Sequence, residues 1–452
     1  MTRLWFETAL LPTGWATGVR LTIETGVIAA VETGADPHPG DERGAIATPG
    51  LGNVHSHGFQ RGMAGLTEYR GSSDDDFWSW RELMYRFLDR LTPDDVQAIT
   101  TQAYVEMLEG GFTRVGEFHY LHHDPAGRPY ARLGEMAWRI AAAAEATGIG
   151  LTLLPVYYAQ GGFGGAPPAP GQRRFLNDQD RFAYLMEESR SAVAGLPDAR
   201  LGVAPHSLRA VMPEDLAAIT PLAGPGGVHI HAAEQVKEVD DCLAWSSQRP
   251  VEWLLNEVGL DESWRLIHAT HLTDDETRRL AQSGAVAGLC PITEANLGDG
   301  IFPAERYLAA GGRMAVGTDS NVLVDAVQEL RALEYSQRLT RRARNVLAAV
   351  ERPSTGATLF CRALAGGAQA LGEPVAGLAV GASADVVALN PGHPALIGRS
   401  GDALLDGWTF AGDARCVKTV WRRGERVVEH GRHRDGEAIA AAYAATLQRL
   451  LS

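Results

Sequence analysis

Along the chain, short apolar runs alternate with longer stretches of helical period, and this alternation organises the whole middle of the sequence. Eight runs of strand length stand out, at 51–55, 113–119, 150–157, 201–206, 227–231, 265–268, 285–290 and 314–319. Between them apolar positions recur at helical spacing, as in 93–109, 131–147, 179–194 and 251–258. Continuous apolar runs separated by amphipathic helices are the pattern of parallel strands covered on both faces. Eight such units predict an α/β fold, a (β/α)8 barrel of the TIM type. One further helical insertion is expected near 74–90.

The two ends have a different texture. Residues 4–11, 20–24 and 26–31 are rich in β-branched and aromatic side chains and are broken by Gly and Pro. The same pattern returns at 385–390 and 416–428, so the ends are expected to pair. The predicted layout is a small β-sandwich domain built from 1–47 and 371–435, a metal-dependent barrel over 48–370, and a terminal helix over 436–452. The Gly- and Pro-rich segment 160–171 (QGGFGGAPPAPG) directly follows the third barrel run. It reads either as a surface loop or as a lid, because loops after barrel strands sit on the active face.

Composition narrows the function only by exclusion. The 45% hydrophobic and 21% charged residues are ordinary for a globular chain. With 41 basic against 55 acidic residues, net −14, a nucleic-acid or anionic-membrane surface is disfavoured. No apolar run approaches the ~20 residues of a membrane span, and residues 1–15 lack a signal-peptide pattern. The four cysteines are scattered and form no C-x-x-C pair. A reduced cytoplasmic location is therefore expected.

The chemistry collects at the ends of the strand-like runs. His55 and His57 form H-x-H at the end of the first, and alternate strand residues point the same way. His231 ends the fifth run, His268 the sixth and Asp319 the eighth. His55, His57, His231 and Asp319 form the candidate ligand set; three imidazoles with a carboxylate suit one divalent ion, most naturally Zn2+. Glu234, three residues beyond His231, is placed to move protons beside the ion without binding it. His268 reads as a ligand or as a hydrogen-bond partner of the water, and both readings stay open. Barrels with two ions often bridge them with a lysine at the fourth strand. The chain's lysines, Lys237 and Lys418, are not near that strand in the sequence, so one ion is expected.

These motifs resemble the amidohydrolase superfamily and its one-metal deaminase branch. The resemblance rests on 49–57 (PGLGNVHSH), 231–234 (HAAE), His268, 317–320 (GTDS) and the tail 377–387 (GLAVGASADVV). Segments 59–68 (FQRGMAGLTE), 76–85 (DFWSWRELMY), 117–123 (EFHYLHH) and 205–209 (PHSLR) are similar to the formimidoylglutamate deiminase family in particular. That resemblance implies hydrolysis of N-formimidoyl-L-glutamate to N-formyl-L-glutamate and ammonia in histidine degradation. It implies catalytic roles for Glu234, His268 and Asp319, and substrate binding by Gln60, Arg81, Tyr120, His206 and Arg209. It also implies a small dicarboxylate as the partner molecule, a homodimer, and no nucleic acid or membrane. The alternative within enzymes is deamination of an aromatic amine such as guanine, cytosine or an adenosine derivative. That reading expects aromatic side chains stacking on a ring, where the first expects arginines. A non-catalytic scaffold of the same fold would be expected to have lost ligands, and none is missing.

Overall fold

A computed structural model describes residues 1–69 and 77–452. Eight parallel strands form the barrel in chain order: Leu51–Ser56, Phe112–His119, Gly150–Tyr157, a fourth split into Arg200–Leu201 and Ala204–Pro205, then Val228–Ala232, Trp264–His268, Val286–Leu289 and Arg313–Val316. Hydrogen-bonded ladders connect strands one to four and strands five to eight. Parallel bridges from Val203 to Val228 and from Ser207 to His231 join the halves on one side. A bridge from Ser56 to Asp319 closes the ring on the other.

The fourth strand departs from the continuous run expected over 201–206. Its pairing with strand three lapses where the Val203 amide turns to the opposite neighbour and donates to the Gly227 carbonyl at 2.9 Å. The last strand is also shorter than expected, ending at Val316, so Asp319 lies beyond the ladder. At the bottom of the barrel, Leu371 plugs the interior beside Val54, Val286 and Ala315. A Cβ at Gly52 would come 2.7 Å from the Leu371 side chain, and one at Gly116 2.8 Å, which is why these strand positions are glycine. With that end filled, the accessible end is the one where the strands finish.

The helices follow the predicted order with shifted ends. Pro93–Glu109 begins on a Thr92–Asp95 capping box, and Gln179–Val193 begins on Asp178, whose side chain accepts from the Arg181 amide. Glu135–Thr147 starts later than the apolar pattern suggested. The stretch expected over 251–258 is Pro250–Trp253 followed by a π-turn, Leu254–Val258. The insertion expected near 74–90 is helical over Phe77–Leu88; its first residues, 74–76, lie outside the described residues.

Strands Thr2–Leu11, Gly14–Glu24, Val27–Glu32 and Glu42–Pro49 from the N-terminal end join Val386–Leu389, Val417–Arg422, Glu425–Glu429 and Arg432–His433 in one sheet. The joint is the antiparallel pairing of Val386–Leu389 with Glu42–Pro49. The expected sandwich is thus one sheet curled on itself: Phe6 and Trp421, from different parts of it, meet edge to face at 5.7 Å over a common apolar core. Only Gly50 separates Glu42–Pro49 from the first barrel strand. The terminal helix Gly436–Leu451 lies on its own barrel, where Arg449 pairs with Asp95 and the Tyr443 hydroxyl donates to the Arg61 carbonyl at 3.2 Å. Among the described residues no helix is long and apolar enough to cross a membrane.

A buried ion cluster fastens the curled sheet to the barrel. Arg422 donates to both carboxylate oxygens of Asp198 at 2.8 Å and also pairs with Asp385. Removing one member of a buried charge cluster costs about 3–5 kcal/mol, because the others stay desolvated without compensation. Arg422→Met is therefore expected to lower the unfolding free energy by about that amount, and with it the denaturation midpoint, at fixed metal loading. A midpoint equal to the wild-type one would show that Arg422 carries no such load.

Candidate metal centre and active-site pocket

The open end of the barrel gathers the predicted donors at bonding separations. His55 Nε2 lies 3.0 Å from His231 Nε2 and 3.5 Å from Asp319 Oδ1, and His57 Nε2 lies 3.2 Å from the same oxygen. Ligand atoms each about 2.0–2.2 Å from one centre are separated by just such distances. The ring orientations agree. His57 Nδ1 donates to the Phe118 carbonyl at 2.9 Å and His231 Nδ1 to the His206 carbonyl at 2.9 Å, which leaves both Nε2 lone pairs turned inward. Burial keeps His55 and His231 uncharged, bringing His55 down to about 3 and His231 well below its ordinary value. Neutral imidazole is the ligating form. The residues present therefore fit a divalent ion.

Local structure explains how Asp319 reaches this cluster from beyond its strand. The backbones of strands one and eight touch at Gly317, where a Cβ would lie 2.8 Å from the His55 backbone. The Asp319 amide donates to the His55 carbonyl at 2.9 Å, and the His57 amide donates to the Asp319 carbonyl at 3.0 Å. Asn321 locks the turn by donating to the Asp319 and His57 carbonyls. Burial alone would raise the Asp319 carboxyl; the adjoining His55 and His57 hold it well below the usual range. Ala233, His268, Ala269, Asp319 and Asn321 all have positive φ, between 45° and 69°. Left-handed non-glycine residues are uncommon and strained. Here they fall at the last residue of strand six and in the turns just after strands five, six and eight.

Glu234 sits in one of these turns. Its backbone is held by Glu238, whose carboxylate accepts from the Ala233 and Glu234 amides, each at 3.1 Å. Its side chain lies 3.8 Å from His268 Nε2 and 3.5 Å from an Arg209 nitrogen. Burial pushes the Glu234 carboxyl up, against the pull of His268 and Arg209. His268 is 3.8 Å from Asp319 through Nε2 and 3.3 Å from Glu294 through Nδ1. Burial opposes charge on its ring, yet Glu234, Glu294 and Asp319 carry it up to about 10.

Above this floor opens a pocket. Every residue predicted for the site lines it except His55, which lies beneath: Gln60, Arg81, Tyr120, His206 and Arg209 form walls around His57, His231, Glu234, His268 and Asp319. Gln60 Nε2 donates to the Tyr120 hydroxyl at 2.8 Å, and the His206 ring lies 4.6 Å from that of Tyr158. Arg81 lies over the Trp78 ring at 4.5 Å, and Arg209 is 5.9 Å from the same ring. Cation–π contact seats both guanidiniums on the aromatic wall of the pocket.

One expectation needs correction. The arginine-or-aromatic contrast drawn from the sequence does not hold, because Phe77, Trp80, Tyr85, Tyr158 and Phe175 also line the pocket. Aromatic rings and guanidiniums occupy the same wall, the rings serving as platforms for the cations. Segment 160–171, read from the sequence as a surface loop or a lid, supplies no lining residue of this pocket; its Phe163 stacks on Trp245 at 5.6 Å, and its Gly171 lies against the ring of the pocket residue Tyr85. Sequence reasoning also missed three buried carboxylates: Glu117, which accepts from the Gly58 amide at 2.6 Å just after the H-x-H pair, with Glu238 and Glu294. Glu117 lay inside a quoted motif and Glu238 one helical turn beyond another. Nothing local marks Glu294, Phe175 or Leu297.

Comparison with known proteins adds to the geometry. Residues 46–427 match the model of the amidohydrolase family, and residues 1–45 match that of the formimidoylglutamate deiminase HutF N-terminal domain. The chain is 50% identical to a formimidoylglutamate deiminase of Pseudomonas aeruginosa, with all of both chains covered. It is 31% identical to a 5-methylthioadenosine/S-adenosylhomocysteine deaminase of Natronomonas pharaonis, covering 82% of this chain and 80% of that one. The crystal structure of an amidohydrolase from Brucella melitensis superposes with a TM-score of 0.97 at 56% identity, again over the full length of both. An eight-stranded barrel with these donors at its mouth, a curled sheet made from both ends, and identity sustained from end to end place the chain in the formimidoylglutamate deiminase family of the amidohydrolases.

Proposed function

We propose that the chain hydrolyses N-formimidoyl-L-glutamate to N-formyl-L-glutamate and ammonia, using one Zn2+ held by His55, His57, His231 and Asp319. The observation that carries this reading is one pocket lined by a metal-donor cluster, a buried carboxylate and two guanidiniums. When bound, a divalent ion in such a site activates water by lowering its pKa toward neutrality. The chain's residues do the rest. Asp319 and Glu234 take protons from the attacking water, and His268 hydrogen-bonds and orients it. Glu234 delivers one proton to the imino nitrogen on attack, and the second water proton, taken first by Asp319, reaches the same nitrogen on collapse, so the carbon–nitrogen bond breaks with loss of ammonia and the formyl oxygen remains. Arg81 and Arg209 each offer planar paired donors to a carboxylate. Gln60, Tyr120 and His206 complete the hydrogen bonds around the chain of the substrate.

Ammonia release from N-formimidoyl-L-glutamate, guanine, cytosine and S-adenosylhomocysteine tests the proposal. The first is expected to have much the highest kcat/KM, and preference for any ring substrate would replace this reading with aromatic deamination. Metal analysis is expected to find one equivalent per chain. Chelation should abolish turnover, and Zn2+ should restore it; two equivalents in active protein would overturn the one-ion assignment. The proposed assembly is a homodimer, testable by sedimentation velocity.

A further inference from the structure

The imidazole of His268 faces two ways. Its Nε2 looks into the reaction centre, 3.8 Å from both Glu234 Oε1 and Asp319 Oδ2. Its Nδ1 looks away from it, 3.3 Å from Glu294 Oε1. That carboxylate is itself anchored. The same oxygen accepts from the Cys290 amide at 2.8 Å, and the residue lies in the first turn of Pro291–Leu297, directly after strand seven. The turn is tied to strand eight, since Thr293 Oγ1 is 3.2 Å from the Thr318 carbonyl and 3.0 Å from Ser320 Oγ. Glu294 is 4% exposed, so solvent does not compete for it.

We propose that Glu294 is a positioning residue that holds the Nδ1–H and the ring plane of His268. A carboxylate facing one imidazole nitrogen keeps a proton on that nitrogen and fixes the direction of the ring, in the charged form as in the neutral one. With Nδ1–H held by Glu294, Nε2 stays turned toward Glu234 and Asp319. His268 is the last residue of strand six, in register with Ala232, and its φ of +69° departs from strand geometry. His57 and His231 are fixed through backbone carbonyls, which no substitution can remove. His268 is fixed through a side chain, and its control is therefore open to mutation.

The kinetic part of the test rests on the deimination reading; the spectroscopic part does not. Glu294→Gln keeps the shape, but its amide can turn either a donor or an acceptor toward Nδ1. Outer partners of this kind typically contribute about 10–100-fold. The variant is expected to lose about that much kcat on N-formimidoyl-L-glutamate, with KM within about twofold and metal content unchanged. In a His268→Asn background the same change should cost nothing further. Wild-type kcat in Glu294→Gln, or an undiminished loss in the His268→Asn background, would overturn the proposal. Independently, ring ¹⁵N shifts of histidine-labelled wild-type protein, assigned to His268 by their loss in His268→Asn, should show a protonated Nδ1. An unprotonated Nδ1 there refutes the proposal whatever the variants do. If the wild-type protein releases no ammonia from N-formimidoyl-L-glutamate, the substrate reading fails, and the ring measurement still decides the part played by Glu294.

Discussion

Glu234→Gln is expected to keep its metal and its fold while losing about 10²–10⁴ of kcat, the usual worth of general acid–base help. The substitution is nearly isosteric, and Glu234 is outside the proposed ligand set, so metal content should not move. The turn that carries it is held through its backbone by Glu238, which contacts the amides of residues 233 and 234 and not the side chain. Geometry should survive while proton transfer does not. Because Gln cannot take up and return a proton, the loss should appear in kcat with little change in KM. The variant's kcat, KM and metal stoichiometry measured side by side check this. Near-normal turnover would remove Glu234 from the mechanism.

Arg209→Met is expected to damage kcat/KM by a comparable factor through substrate affinity. Truncating one member of a desolvated, hydrogen-bonded charge pair costs about 2–5 kcal/mol, or roughly 30- to several-thousand-fold. Arg209 is almost buried, with only 11% of its side chain exposed, so an incoming carboxylate meets it out of water. One complication is its 3.5 Å contact with Glu234, through which the substitution also removes a positive neighbour of the proposed acid. A substrate analogue lacking one carboxylate separates the two effects. If Arg209 binds that carboxylate, wild type and variant should differ far less on the analogue. Equal losses on both substrates would assign Arg209 to the support of Glu234 instead.

Much of the architecture was legible in the chain because parallel strands covered on both faces must be continuously apolar. That requirement marked all eight barrel strands within a few residues. It marked the fourth less well, because apolarity reports burial and not pairing, and the amide of Val203 bonds to the other neighbour. The site was legible for a related reason. Ligand-type side chains at the ends of otherwise apolar runs have few structural roles, so His55, His57, His231, His268 and Asp319 stood out. The carboxylates of Glu238 and Glu294 did not, because an acidic residue in a helix usually faces solvent, and Glu117 did not because a single polar residue inside a strand-like run does not say which neighbour it meets. Their functional setting comes from contacts 59, 4 or 5, and 26 residues away in sequence.

The metal site shows where this boundary runs. The sequence by itself determined the donor types, their order on successive strands, and the absence of a lysine beside the fourth. Only the tertiary structure decided that the donors meet, since His55, His57 and Asp319 are brought together by closure of the first strand on the eighth. Tertiary structure likewise decided which arginines reach the pocket, and that aromatic rings share their wall. The physical reason is that local pattern reports what a residue is buried against in kind. Distances between residues far apart in the chain are set by the closing of the barrel, a cooperative property of all eight strands.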